Sequence, residues 1–112
     1  MDMKNTALID EFLKAKNDYD STAFVACFSK DAVVQDEGHE FSGKAAIQEW
    51  IEASNAKYHD TVTAQKLVEL DGKIVLTAQV SGNFEGSPAL LDFHFVISEG
   101  KISRLSVQLP GA

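Results

Sequence analysis

The sequence predicts an α+β fold, in which helices from the first half of the chain pack on one face of an antiparallel sheet. Apolar residues recur at helical spacing in the first half and alternate with polar residues in the second half. Turn signals such as Asp71-Gly72 and Glu99-Gly100 separate the alternating segments. Helices followed by an antiparallel meander are typical of an α+β domain.

Three helices are predicted from the apolar spacing and the capping residues. The first covers residues 5–17, and a short second helix follows with Asp20 or Ser21 as its N-cap. Ser42 is the predicted N-cap of the third helix, which runs to about Tyr58 and places Trp50 on its buried side.

The strands are predicted from alternation and from the turn residues between them. A short strand at residues 32–36 precedes the third helix, with a turn at residues 37–40. Longer strands are predicted at residues 61–70, 73–85, 89–98 and 101–109.

Composition narrows the class of protein. The 112 residues suit a single domain over 1–112, with no cofactor. A net charge of −7 and a single arginine, Arg104, oppose binding to nucleic acid or anionic membranes. The lone Cys27 and the absence of a signal-peptide pattern or a long apolar run predict a cytoplasmic protein. No His, Cys or carboxylate cluster has the spacing of a metal site.

Two ionisable residues lie in the most apolar segment of the chain, residues 90–97. Asp92 and His94 share one face of the predicted strand, about 7 Å apart along it. The opposite face holds Leu91, Phe93, Phe95 and Ile97. The residues alone leave two arrangements open. Either the apolar set covers the helices and Asp92 and His94 face water, or Asp92 and His94 line a pocket.

The segments 28–36 and 41–47 resemble the small nuclear-transport-factor-2-like proteins, which include ketosteroid isomerase and the SnoaL-like polyketide cyclases. The shared pattern is a phenylalanine, an acidic residue with alanine, a short strand ending in aspartate, and a glycine that opens a helix. The resemblance implies a cone-shaped, cystatin-like fold, with three N-terminal helices packed on a curved, mainly antiparallel sheet around a pocket.

The resemblance also implies a pair of carboxyl groups. Asp36 falls at the isomerase's general base, and Asp92 at the protonated acid that donates to the developing oxyanion. His94 is a further candidate acid, base or donor beside Asp92. Phe12 stands where the isomerase has an oxyanion-donating tyrosine, so one donor is absent.

The same arrangement has a consequence for assembly. If Asp92 and His94 face the pocket, then Phe93, Phe95 and Ile97 face outward and would form an exposed apolar patch. The resemblance therefore predicts a homodimer through the outer sheet face, centred on these three residues.

The expected function is binding of an apolar carbonyl compound, with Asp36, Asp92 and His94 as catalytic candidates for isomerisation, cyclisation or dehydration. The alternatives are a ligand-binding protein without chemistry and a dimerisation module. Apolar residues in this fold are core by default, and some of them also line the pocket. The candidates for the ligand-binding wall are Phe12, Phe24, Val34, Trp50, Val80, Phe84, Leu105 and Val107.

Overall fold

The computed structural model describes residues 3–110 and contains three helices and six strands within them. The elements are α1 (Met3–Asn17), α2 (Ser21–Ala26), β1 (Phe28–Asp36), β2 (His39–Ser42), α3 (Lys44–Tyr58), β3 (Thr61–Leu70), β4 (Lys73–Ser81), β5 (Ala89–Ser98) and β6 (Lys101–Gln108). The predicted α+β class is confirmed. Only α1 and α2 precede the first strand, because α3 follows the β1–β2 hairpin.

The six strands form one curved, open, mixed sheet in the order β2-β1-β6-β5-β4-β3. Neighbouring strands are antiparallel except β1 and β6, which run parallel. Three strand predictions differ from the structure by more than one residue. β1 begins at Phe28 instead of residue 32. β2 occupies part of the predicted turn at residues 37–40, and β4 ends at Ser81 instead of residue 85.

The two later helices begin after Asp20 and Gly43, and only the first of these N-caps uses a side chain. Asp20 is the N-cap of α2, and its side chain accepts a hydrogen bond of 3.0 Å from the Ala23 backbone N–H. The N-cap of α3 is Gly43 and not the predicted Ser42. Ser42 pairs with Val33 across the β1–β2 ladder, so its backbone belongs to the sheet.

Tight turns set the register of the meander. Asp71 and Gly72 link β3 to β4, and both have positive φ, at 49° and 78°. Positive φ at both central residues is the requirement of a type I′ hairpin turn, which the Asp-Gly pair meets at low cost.

A cluster of phenylalanines on the inner face of the sheet forms the centre of the core. The ring of Phe12, from α1, lies 4.9 Å from Phe24 and 6.3 Å from Phe28, measured between centroids. It also lies 6.4 Å from Phe93 and 5.1 Å from Phe95, both from β5. The helices therefore pack directly on the phenylalanine face of β5.

This packing corrects the predicted orientation of β5. Phe93 is 7% exposed and Phe95 1% exposed, so the prediction that they face outward is wrong. Ile97 packs on the same core. The apolar alternation along β5 determined which face meets the helices, as expected for a sheet with one covered face. The homodimer itself stays a prediction, but two of the three residues given for its centre, Phe93 and Phe95, are buried within the protein.

Candidate functional site

A cavity of about 320 Å³ lies between the helices and the inner face of the sheet. Its volume is at the lower end of the range of roughly 300–1,000 Å³ that small-molecule sites occupy. Six of the eight residues predicted for the ligand-binding wall border it: Phe12, Phe24, Trp50, Val80, Phe84 and Val107.

The other two predicted wall residues lie elsewhere. Val34 and Leu105 are completely buried and face each other across the β1–β6 ladder, so they belong to the core. Ile51, Leu91 and Phe93 also border the cavity, although the sequence did not predict them as wall residues. Leu91 and Phe93 were omitted because β5 was assigned the opposite orientation.

Asp36, at the end of β1, is the predicted catalytic residue that borders the cavity. Its carboxylate is half-buried, and Oδ2 accepts a hydrogen bond of 3.1 Å from the indole N–H of Trp50. Burial raises the pKa of the Asp36 carboxyl above its ordinary value. The Trp50 indole and the backbone N–H of Glu37 oppose this rise, because both stabilise the charged form. The structure thus presents a partly desolvated but firmly oriented carboxylate to the cavity.

Asp92 and His94 lie on the other face of the sheet and do not border the cavity. Asp92 faces Thr77 across the β4–β5 ladder and accepts a hydrogen bond of 2.6 Å from its hydroxyl. Nε2 of His94 is buried and has no hydrogen-bond partner among residues 3–110. The expected pocket position of both residues is therefore wrong, since successive side chains of a strand alternate and Phe93 and Phe95 take the inner face.

A buried ion pair borders the cavity, and sequence reasoning missed it. The ammonium of Lys16, in the last turn of α1, donates to the backbone carbonyl of Asp60 at 2.7 Å and to its Oδ1 at 3.0 Å. Lys16 is 6% exposed and Asp60 8% exposed. Burial lowers the pKa of the Lys16 ammonium, and the Asp60 charge opposes that shift. One signal was available: Lys16 follows Phe12 by four residues, so both lie on one face of α1.

The end of α1 is fixed to the start of β3 beside this pair. The side chain of Asn17 donates to the Val62 carbonyl at 2.9 Å and accepts from the Val62 N–H at 2.7 Å. The Tyr19 hydroxyl donates to the His59 carbonyl, and the two rings stack with centroids 4.6 Å apart. These contacts hold Lys16 and Asp60 in a fixed relation.

Gly82, which follows β4, permits a close approach to the same region. A Cβ atom at this position would lie 2.6 Å from the Asp60 Cβ and 2.7 Å from the Tyr58 carbonyl. The next residue, Asn83, donates its backbone N–H to the Tyr58 carbonyl at 2.7 Å. Only a glycine therefore fits here without moving Asp60.

The lining residues with exposed side chains are acidic. Glu37 and Glu85 border the cavity and are exposed, whereas Phe12 and Phe24 are buried at its wall. Together with the net charge of −7, these carboxylates oppose the entry of an anionic ligand.

Within residues 3–110, no group of three or more His, Cys, Asp or Glu side chains is arranged to hold a metal ion. Nor does any described helix have the length and apolar character that crossing a membrane requires.

A curved sheet covered by three helices and enclosing a mainly apolar cavity defines the nuclear-transport-factor-2-like class of protein. The chain belongs to the SnoaL-like domain family, which matches residues 9–105. This confirms the resemblance seen in the sequence. No sequence match to a curated protein accompanies it.

Solved structures agree with this assignment. A candidate polyketide cyclase from Sinorhizobium meliloti is 32% identical, with a TM-score of 0.89 over 91% of this chain and 94% of that one. A candidate ketosteroid isomerase from Kribbella flavida is 13% identical, with a TM-score of 0.83 over 98% of this chain and 80% of that one. A cystatin-fold protein from Novosphingobium aromaticivorans is 17% identical, with a TM-score of 0.78 over 92% and 96%. The last two similarities concern the fold alone.

Proposed function

We propose that this protein binds a neutral, apolar carbonyl compound of one or two rings, and that Asp36 removes a proton from the carbon beside the carbonyl. The observation that carries this proposal is the position of Asp36: a half-buried carboxylate, fixed by an indole, borders a mainly apolar cavity.

The walls of the cavity favour a flat, apolar ligand. Phe12, Phe24 and Trp50 supply aromatic surface, which packs well against rings. A volume of about 320 Å³ suits a compound of one or two rings. The exposed Glu37 and Glu85 favour a ligand that enters without negative charge.

The environment of Asp36 suits a general base. A raised pKa brings the carboxyl closer to neutral pH, where a base combines the correct protonation state with a stronger drive for proton transfer. The Trp50 indole keeps the carboxylate in one orientation. Isomerisation, intramolecular ring closure and dehydration of a carbonyl compound can all begin with this proton removal.

The experiment is hydrogen–deuterium exchange of 2-tetralone in deuterium oxide, followed by proton NMR. We expect the protein to accelerate loss of the signal from the protons beside the carbonyl. Asp36→Asn should reduce the exchange to the uncatalysed rate. Asp92→Asn is the matched control and should exchange like the unaltered protein, because Asp92 lies across the sheet from the cavity. Equal exchange by the unaltered protein and Asp36→Asn would contradict the proposal.

Ligand binding without chemistry is the second candidate function. The observation in its favour is that Phe12 has no hydroxyl and Asp92 does not border the cavity, so neither donor of the isomerase is present in its expected place. This function predicts that 2-naphthol quenches the fluorescence of the single tryptophan, Trp50, in a saturable way. It also predicts that the protein does not accelerate the proton exchange of 2-tetralone.

A further inference from the structure

We propose that Lys16, held by Asp60, is the oxygen-binding group of the cavity. Its ammonium donates to the carbonyl oxygen of the bound ligand and stabilises the enolate that forms when Asp36 removes the proton. This inference rests on the proposed function, and it assigns the donor role to a residue pair that the resemblance did not indicate.

The geometry leaves the ammonium one donor for a ligand. A lysine ammonium has three N–H groups. Two of them bond to the carbonyl and Oδ1 of Asp60, and no acceptor for the third is found within residues 3–110. The face of the Tyr19 ring lies beside the ammonium, at 5.4 Å from Nζ to the ring centroid. Lys16 also borders the cavity. A ligand oxygen in the cavity can therefore complete its hydrogen bonding.

Energetics favour a functional role for this pair. Removing an ammonium and a carboxylate from water is costly, and packed apolar residues in their place are often as stable or more so. The other lysines whose side chains the structure describes, at positions 14, 30, 44, 57, 66, 73 and 101, are all exposed. Among these described side chains, Lys16 is therefore the exception, and it is paired with Asp60 at the border of the cavity.

The exposed charged groups that border the cavity and the buried ones have different effects on a ligand. The exposed carboxylates of Glu37 and Glu85 favour the entry of a neutral compound, whereas the interior holds the Lys16 ammonium paired with the Asp60 carboxylate. Lys16 is 6% exposed, and an N–H donor held in place away from bulk water stabilises a developing negative charge more than the same donor in water. Lys16 would then favour the enolate over the ketone, which is the difference that accelerates a reaction.

The proton transfer balances without any oxidant or co-reactant. The Asp36 carboxylate takes a proton from the carbon beside the carbonyl. The electrons of the broken C–H bond form a C=C bond, and the carbonyl π electrons move to oxygen. That oxygen accepts a hydrogen bond from Lys16, which remains an ammonium. The Asp36 carboxylic acid then returns the proton to the same or another carbon of the enolate.

The test uses 2-naphthol, whose ionised form places negative charge on an oxygen attached to a flat ring system, as an enolate does. Naphthol and naphtholate have different absorption spectra, so the ionisation of the bound probe can be titrated directly. The measurement is made in the Asp36→Asn variant, because a neutral amide imitates Asp36 after it has taken the proton.

For each variant we compare the affinity for naphtholate with the affinity for neutral naphthol. We expect this ratio to be at least tenfold larger in Asp36→Asn than in the double variant Asp36→Asn with Lys16→Met. The matched control is Lys14→Met in the same background, since Lys14 is exposed on the same helix and pairs with the exposed Asp18. It should leave the preference unchanged.

Folding is checked by thermal melts. If Lys16→Met unfolds the protein because Asp60 is left unpaired, the comparison is made instead with Lys16→Met combined with Asp60→Asn. That combination removes both charges of the pair together.

Equal naphtholate preference with and without Lys16 would overturn this inference and leave the proposed function standing. If neither naphthol form binds the unaltered protein, the proposed function and this inference both fail.

Discussion

The indole N–H of Trp50 donates a hydrogen bond of 3.1 Å to Oδ2 of Asp36 and so connects the middle of α3 to the end of β1. The same indole stacks on Phe41 of β2, with ring centroids 5.8 Å apart. The β1–β2 hairpin and α3 therefore fix the carboxylate together, and its orientation does not depend on a ligand.

Replacing Trp50 by phenylalanine should raise the pKa of Asp36, because the lost indole N–H stabilises the charged carboxylate. The pH profile of 2-tetralone exchange should then move to higher pH. Phe41→Leu is the control, since it alters the stacking partner of the indole and leaves the hydrogen bond in place. A profile that is the same in Trp50→Phe and the unaltered protein would contradict this role.

Replacing Asp36 by asparagine should change how stability depends on pH. The folded-state pKa of Asp36 is raised, so the native protein binds more protons than the unfolded chain between the ordinary pKa of 3.8 and the raised value. The free energy of unfolding contributed by this group therefore falls as pH rises through that window.

An asparagine at position 36 does not titrate, so the free energy of unfolding of Asp36→Asn lacks this fall. Relative to the unaltered protein, Asp36→Asn should therefore become more stable as the pH rises from 4 to 7. Urea denaturation at both pH values measures the difference. A stability difference that does not change with pH would show that burial does not perturb this carboxyl.

The orientation of β5 can be tested with adjacent residues. Phe95 is 1% exposed and contacts Phe12, so Phe95→Ala should cost about 3–5 kcal/mol of unfolding free energy. Val96, its neighbour on the outer face, is partly exposed, and Val96→Ala should cost roughly 1 kcal/mol or less. Urea denaturation of both variants decides the matter, and comparable losses would contradict the inner position of the phenylalanines.

Gly82→Ala should disturb the ion pair of Lys16 and Asp60 without touching either charge. The added Cβ would lie 2.6 Å from the Asp60 Cβ, so Asp60 must move. We expect a loss of about 1–3 kcal/mol in unfolding free energy, and weaker 2-naphthol binding. Asn83→Ala is the control, because this exposed neighbour engages the Tyr58 carbonyl through its backbone N–H. If Gly82→Ala has the same unfolding free energy and the same 2-naphthol affinity as the unaltered protein, then Asp60 can shift without cost and this prediction is wrong.

Local patterns predicted most of the secondary structure. The bounds of β3 and β5 agree with the prediction, and both strands end at turns that the sequence marks, Asp71-Gly72 and Glu99-Gly100. The strand β2 was missed because its four residues, His39–Ser42, show little alternation, and it forms only by pairing with β1 at the sheet edge.

The site was harder to predict because it depends on contacts between distant residues. Asp36 was found through the family resemblance. Lys16 and Asp60 are 44 residues apart, and each is locally an ordinary charged residue next to a turn. The placement of Asp92 failed because the resemblance gave a position along the strand, whereas the packing of Phe93 and Phe95 decided the face.

The most direct test of the central claim is a titration of methyl-labelled protein with 2-naphthol, followed by NMR. The cavity is bordered by methyl groups of Ile51, Val62 and Leu91, whereas Val68, Val75 and Val96 lie on the outer face of the sheet. We predict saturable shifts at the first set and unchanged signals at the second. Shifts confined to the outer set, or no saturable shift at either, would contradict a ligand site beside Asp36.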